Sequence, residues 1–447
     1  MDIEGYAKRM LGKDVSADAI KKELSKRIIE IKGDRVSEDY AIQLAEAVIK
    51  EATATINPKD ALLKSPVTNV TMGEFGVGSR GSGDFYLHEK IGELLGETSA
   101  VVDSRELDDS GVVEGGGEFI VLTVDGIHSR LSDYPFIAGF HVARAALRDI
   151  YAMGATPLAM LSDIHLADDG DVGKIFDHIA GIAAISELTG VPLITGSTLR
   201  IGGDMVIGER MTGAVGAVGI TDRITARRSA EPGDLILMSE GAGGGTISTT
   251  ALYYGEEDIV WETMNVKFLD ACSALIEHGL NREIHSMSDV TNGGIRGDAA
   301  EIAKVAGVKL LFYEDKIRSL VNQRVLDLLE RHRIDYLGVS LDALLVISPR
   351  DLSSKILDVV HDAGVRMDVI GEVTEGNGSR IVIDGKELDF TPRFRESAYT
   401  PIKKVVGEVA TQDFDEMKKE VDRGVEDAKR KKDWVVERVK GTRPHLI

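Results

Sequence analysis

Phe119-Ile-Val-Leu-Thr-Val-Asp-Gly126 is a run of apolar and β-branched residues closed by Asp125-Gly126, the pattern of a largely buried strand that ends in a turn. Outward from it, apolar residues recur at helical spacing from about Ile137 to Met153 and stop at Gly154, a residue suited to the end of a helix. Pro157 to Ile164 reads as a strand, residues 172 to 189 as a helix ending at Gly190, and Val191 to Thr195 and Met211 to Thr221 as further strands. Strands that alternate with helices predict an α/β (α+β) fold. Glu231-Pro-Gly-Asp234 is a strong turn, and a second α/β unit follows it. That unit has strand Leu235 to Ser239, the turn Gly241 to Gly245 before a helix, and the turn Ser288-Asp-Val-Thr-Asn-Gly-Gly294 before another. Leu344 to Ile347, Val369 to Val373 and Arg380 to Ile383 are its later strands, with a helix over 352–363. Upstream, residues 15 to 55 read as helix, 70 to 84 as a glycine-rich loop and 85 to 96 as a short helix; from Asp413 onward the chain is charged and helical. The expected division is a helical extension over 1–65, a first domain over 66–228, a second over 229–402 and a helical tail over 403–447.

The 447 residues are 43% apolar, enough for a sizeable core, and carry a formal net charge of −21. Such a surface repels phosphate backbones, so nucleic acid is not an expected partner. No run approaches the length of a membrane span, no signal-peptide pattern opens the chain, and the single Cys272 permits no intrachain disulfide; a cytoplasmic setting is expected. Gly-x-Ser-x-Gly, His-Glu-x-x-His and a Walker Gly-Lys-Ser/Thr are all missing, and Cys272 sits in an apolar helical stretch that suits packing.

Five segments carry candidate chemistry. Gly81-Ser82-Gly83-Asp84 is either a phosphate-approaching loop or a plain surface loop. Asp108 and Asp109, together with Asp125 at a strand end, would repel one another unless a hard cation joins them; each alone is also an ordinary turn former. Asp149 shares a helix face with Val142, Ala145, Ala146 and Met153, so it must be paired, hydrogen-bonded or metal-bound. Gly196, Ser197 and Thr198 follow a short strand, where a hydroxyl meets a phosphate or simply makes a turn. Gly243 and Gly244, then Asp289, Gly293 and Gly294, precede helices, whose first amides favour anions, though ordinary turns look the same. His128 suits a base, a phosphate contact or a satisfied structural histidine.

Taken together these segments resemble the aminoimidazole ribonucleotide synthetase superfamily, which includes thiamine-monophosphate kinase, selenophosphate synthetase and the carbamoyl-dehydrating hydrogenase maturation enzyme. The resemblance rests on Gly81-Ser-Gly83, Asp108-Asp-Ser-Gly-Val-Val113, Leu122-Thr-Val-Asp-Gly-Ile-His128, Gly196-Ser-Thr198 and Pro232-Gly-Asp-Leu-Ile-Leu237. Leu147-Arg-Asp-Ile-Tyr-Ala-Met-Gly-Ala-Thr-Pro157 is its most specific segment, and Ser288 to Gly294 and Ile370-Gly-Glu-Val373 extend it. It covers roughly residues 75 to 400. It implies two α/β domains, the first forming a β-barrel with its copy in a homodimer, with ATP lodged nearby. It implies Mg2+ and phosphates at Asp108, Asp109, Asp125 and Asp149, with Asp125, His128 and Asp149 in catalytic roles. The glycine segments and Asp289 would then bind the nucleotide. The implied activity is ATP-dependent phosphoryl transfer to a small-molecule acceptor; the alternative is a nucleotide-binding regulatory or assembly protein without turnover. Ser197 stands where an acidic residue is usual, so a metal ligand is missing or is supplied by Asp204. The early glycine segment has no cysteine, the chain ends His-Leu-Ile447, and the terminal helices are extra to the shared core.

Overall fold

A computed structural model describes residues 1–291 and 293–442; Asn292 of the second glycine turn and the terminal Arg443-Pro-His-Leu-Ile447 lie outside the described residues. Three helices open the chain, α1 (Ile3–Leu11), α2 (Ala17–Lys32) and α3 (Glu38–Thr55). The expected single helical stretch over 15–55 is broken at Gly33, whose φ of 58° leaves the helical region, and α3 restarts on Ser37, whose hydroxyl accepts from the Tyr40 amide at 3.2 Å. Ile20, Leu24 and Ile28 of α2 pack on Ala41, Ala45 and Val48 of α3 in a core that also takes in Ile207.

The first sheet contains β1 (Gly111–Gly115), β2 (Glu118–Gly126), β3 (Thr156–Leu166), β4 (Leu193–Arg200) and β5 (Met211–Thr221) in the order β1-β2-β5-β3-β4. Only β3 and β4 pair in parallel. The helices α4 (Ser82–Leu95), α5 (Pro135–Ala152) and α6 (Gly173–Thr189) belong to this half. Pro135, at the first turn of α5, lacks only an amide that would have no helical acceptor there. α5 is apolar on nearly every side because it is covered on every side: Ala143, Leu147 and Ile150 share one core with Val121 of β2, and with Phe268, Leu275, Met287 and Val346 of the second half.

The second sheet contains β6 (Leu235–Ser239), β7 (Ser286–Asp289), β8 (Lys309–Tyr313), β9 (Leu344–Ser348), β10 (Met367–Thr374), β11 (Gly378–Ile383) and β12 (Lys386–Asp389), in the order β12-β11-β8-β10-β6-β9-β7. α7 (Gly245–Tyr253) follows β6. β6, β7 and β9 are buried along their whole length, which explains the continuous apolar runs of β6 and β9. The architecture is therefore mixed α/β with two sheets, as expected. Within one chain the first sheet is open, so the expected barrel requires a second copy. The helix Phe414–Thr442 packs back on α4, where Tyr86 donates to Asp422 at 2.6 Å. Among the described residues no helix is long and apolar enough to cross a membrane.

Candidate functional site

β1 stops pairing with β2 at Leu122, so Thr123 to Gly126 keep a neighbour only on the β5 side. Their free edge opens on a cavity of about 840 Å³. Asp125 enters it from the end of β2, Asp149 from α5, Asp108 and Asp109 from the segment before β1, Asp289 from the end of β7, and Glu301 from the helix Gly294–Ala306. The sequence-predicted Asp108, Asp109, Asp125, His128, Asp149 and Asp289 thus line one space.

Three arginines share it. Arg227 is almost wholly buried and donates to Asp109 at 2.6 Å, to Glu301 at 2.5 Å, to the Leu107 carbonyl at 2.7 Å and to Ser288 Oγ at 2.9 Å. Its amide donates to Asp108 at 3.0 Å. Arg148 bridges Asp289 and Asp342. Arg80 lies 3.6 Å from Glu301. Asp149 Oδ2 accepts from Thr123 Oγ1 at 2.8 Å, which ties α5 to β2 at the free strand edge.

These cations do not offset the acidic groups fully. Burial pushes Asp109 up to about 8 although Arg227 pulls it down, and pushes Asp108 up to about 6 against the same arginine. Asp125 is raised by burial and by Asp289, against the pull of Arg148; Asp149 is raised well above its usual range by burial, Asp289 and Asp125. Asp109 Oδ2 is buried with no hydrogen-bond partner. Among the described residues no three His, Cys, Asp or Glu side chains come close enough together to hold a metal ion. The carboxylates ring the space rather than meet at one point.

His128 lines the cavity, but both ring nitrogens are engaged: Nδ1 with Thr249 Oγ1 at 3.1 Å and Nε2 with the Tyr399 hydroxyl at 3.2 Å. Burial, Lys403 and Arg130 push it down to about 4, so it is neutral and joins β2 to α7 and the 399 segment. Its contacts are those of a satisfied structural histidine.

Several expected phosphate contacts lie elsewhere. Gly81, Ser82 and Gly83 do not line the cavity; Ser82 and Gly83 are already helix, and a Cβ at Gly83 would sit 1.7 Å from the Phe75 carbonyl, so close packing explains the glycine. Gly196, Ser197 and Thr198 are neither a turn nor cavity lining, but exposed residues of the edge strand β4, drawn into it by parallel pairing with Ser162, Asp163 and Ile164. Asp204 cannot replace a ligand there: it is 71% exposed and paired with Arg200. The Gly243 carbonyl accepts from buried Arg144 at 3.2 Å, and Gly244, just before α7, does not line the cavity. Gly293 packs against Arg80 and Gly294 against the Leu337 carbonyl.

The sequence reading missed Arg80, Arg148, Arg227, Thr123 and Glu301. Arg148 stands next to Asp149 in the most specific segment. Asp298 and Glu301 share the buried side of an apolar helix, the same signal that marked Asp149. Nothing local distinguishes Arg227 from its exposed neighbour Arg228.

Residues 107–221 match the family model described as AIR synthase related protein, N-terminal domain, and residues 231–384 the model of its C-terminal domain. An uncharacterized protein of Methanocaldococcus jannaschii is 52% identical, over 98% of each chain. A selenide, water dikinase of Geobacter metallireducens is 31% identical over 50% of this chain and 65% of its own length. The solved structure of AaThiL complexed with AMPPCP and TMP shares the fold, with a TM-score of 0.55 and 20% identity over 71% of this chain and 97% of that one.

Proposed function

The chain belongs to the AIR synthase related family, and from that premise we propose that it binds Mg-ATP in the cavity at the free edge of β2 and transfers a phosphoryl group to a small-molecule acceptor. One observation carries the reading: Asp108, Asp109, Asp125 and Asp149 ring one cavity with raised protonation ranges, and a buried oxygen of Asp109 has no partner. Two relatives support the nucleotide, a selenide, water dikinase by sequence and a structure with AMPPCP by fold.

The residues present fit magnesium, a hard cation that takes oxygen ligands and is held through one or two carboxylates plus phosphates, so a cluster of three is not required. One or two of Asp109, Asp125 and Asp149 would hold it. When bound, it would supply positive charge to offset that of the phosphate oxygens. Arg80, Arg148 and Arg227 bring local positive charge to a chain of net charge −21, which an anionic substrate needs. Thr123 holds the Asp149 carboxylate in one orientation. A second reading, nucleotide binding without turnover, is favoured by the ring-like spacing of the acidic groups and by Ser197 lying outside the cavity.

We also assign a symmetric homodimer. Leu122, Val124, Leu158, Leu161, Ile194 and Leu199 are exposed on the first sheet, and large exposed apolar patches mark interfaces. The test of the nucleotide reading is calorimetric titration of ATP with Mg2+ and with EDTA, followed by product analysis. Tight binding only with Mg2+ is expected; equal affinity in both removes the metal reading. Binding with no hydrolysis or transfer across a metabolite panel selects the second reading.

A further inference from the structure

Beside His128 the charge balance of the molecule reverses. The buried arginines Arg144, Arg148, Arg227 and Arg296 each meet a carboxylate. Arg130, Lys403 and Arg395 have no carboxylate in ion-pair contact among the described residues. Arg130, half-buried and two residues after His128, lies over the Tyr253 ring with its guanidinium carbon 5.4 Å from the centroid. Lys403, half-buried, lies over the Tyr399 ring at 4.6 Å, and the Tyr399 hydroxyl is 3.2 Å from His128 Nε2. The Arg395 guanidinium donates to the carbonyls of Val409, Gly73 and Glu74, at 2.6, 2.7 and 3.1 Å.

Aromatic faces attract a cation without neutralising it, so the charges of Arg130 and Lys403 remain available. They also repel each other: burial, Arg130 and Arg395 all push Lys403 down, and the one carboxylate that acts on it is Asp84. Asp84 in turn accepts from the amides of Gly78 at 3.1 Å and Arg80 at 2.8 Å. A chain with 74 acidic and 53 basic residues therefore leaves these cations without a carboxylate among the described residues, next to His128, which with Gly126 lines the main cavity.

We propose that Arg130 and Lys403 form the docking site for an anionic group of the acceptor, a carbon-borne phosphate or carboxylate, beside the nucleotide cavity. This rests on the reading of that cavity as a Mg-ATP site. A planar guanidinium fork and a compact ammonium together suit an oxyanion, the first fixing orientation and the second adding charge. His128 is neutral, so it does not compete for that anion. It separates the anion from the carboxylates further in, so the rest of the acceptor extends along Gly126 toward Asp125.

The test is titration of inorganic phosphate, and separately of acetate, into the full chain saturated with Mg2+ and AMPPCP, which blocks the nucleotide cavity. One phosphate or acetate per chain is expected. Arg130→Gln and Lys403→Gln should each weaken it by roughly tenfold or more, the effect expected of a lost charge-assisted bond, with AMPPCP affinity unchanged. Arg130→Lys keeps the charge without the fork, so it should bind more tightly than Arg130→Gln and more weakly than the unchanged chain, which separates loss of charge from loss of fold. Tighter phosphate identifies a phosphorylated acceptor, and equal or tighter acetate a carboxylate. No binding of either anion, or full binding by the doubly substituted chain, overturns the proposal. If AMPPCP itself fails to bind, the nucleotide reading falls, and phosphate titration in EDTA still decides the anion site by the same variants.

Discussion

Arg227 is the residue on which the acidic cavity most depends. A single guanidinium faces Asp108, Asp109, Asp298 and Glu301, and it is buried with them. Arg227→Met would leave these carboxylates without their shared partner, which for buried pairs costs about 3–5 kcal/mol; a fall of that size in urea stability is expected, and wild-type stability would show that the cluster carries little charge. The two motif aspartates should behave differently from Arg227. Among the described residues Asp125 has no side-chain partner that holds the fold together, so Asp125→Asn should abolish Mg-ATP turnover and leave the apoprotein as stable or more so. In Asp149→Asn the amide oxygen can still accept from Thr123, so stability should stay within about 1 kcal/mol while Mg-ATP affinity drops. Melting temperature and ATP affinity measured on both variants check this, and a variant that keeps both affinity and turnover removes its residue from the site. The aspartates were legible because carboxylates at strand ends and on apolar helix faces are conspicuous. Their arginine partners were not, since Arg227 and Arg228 look alike in sequence and only the fold buries the first.

At the scale of elements, the N-terminal helices share their core with Ile207, pair through Met1 and Ile3 with the 205–207 backbone, and are tied down by one buried lysine. Lys32, at the end of α2, reaches across to Asp168 and to Asp169, the latter at 2.8 Å, and both Lys32 and Asp169 side chains are 7% exposed. Burial and these two carboxylates leave the Lys32 pKa raised on balance, while Asp168 is lowered, burial opposing but Lys32 and Arg200 prevailing. A lowered carboxylate stabilises docking above its unfolded value of about 3.9 and loses that contribution as pH falls through its folded value; a raised lysine stabilises docking below about 10.4 and loses it as pH rises through its folded value. Proteolysis of residues 1–55 should therefore be slowest between those limits and accelerate at both ends, and Lys32→Met should be cut faster at neutral pH. A wild-type rate in Lys32→Met would show that the apolar core and the Met1–Ile3 backbone pairing hold the helices without it. Periodicity made β2, α5 and β3 readable, because each alternates or repeats against a core. It could not extend the short strand at 191–195 to Arg200, since Gly196-Ser-Thr-Leu-Arg200 has no buried face and is strand only because β3 pairs with it. The glycine segments were ambiguous for a related reason: Gly83, Gly243 and Gly294 avoid clashes with Phe75, Ile247 and Leu337, and a packing glycine looks in sequence like a phosphate-binding one.

For the whole molecule, the assigned dimer and the cavity are not independent. Val124, Gly216 and Leu161 sit abreast on β2, β5 and β3, and Leu161 is opposite Thr195 on β4, forming a row across the exposed face of the first sheet. Leu122 and Val124 belong both to this face and to the cavity wall. A second copy that covers the face must therefore close part of the cavity, and a nucleotide in the cavity must touch surface that the second copy orders. Coupled equilibria are reciprocal: the factor by which Mg-ATP tightens the dimer must equal the factor by which dimerisation tightens Mg-ATP. Light scattering across a dilution series, with and without Mg-AMPPCP, should give a dimer that dissociates at lower concentration when nucleotide is present. Leu158→Lys with Ile194→Asp changes the face without touching the cavity wall, and should yield a monomer that is folded by circular dichroism and binds Mg-AMPPCP more weakly than the dimer. A dimer in that variant would place the interface elsewhere. A monomer with undiminished nucleotide affinity would instead separate the face from the cavity, and leave β2 as a wall that one chain completes alone.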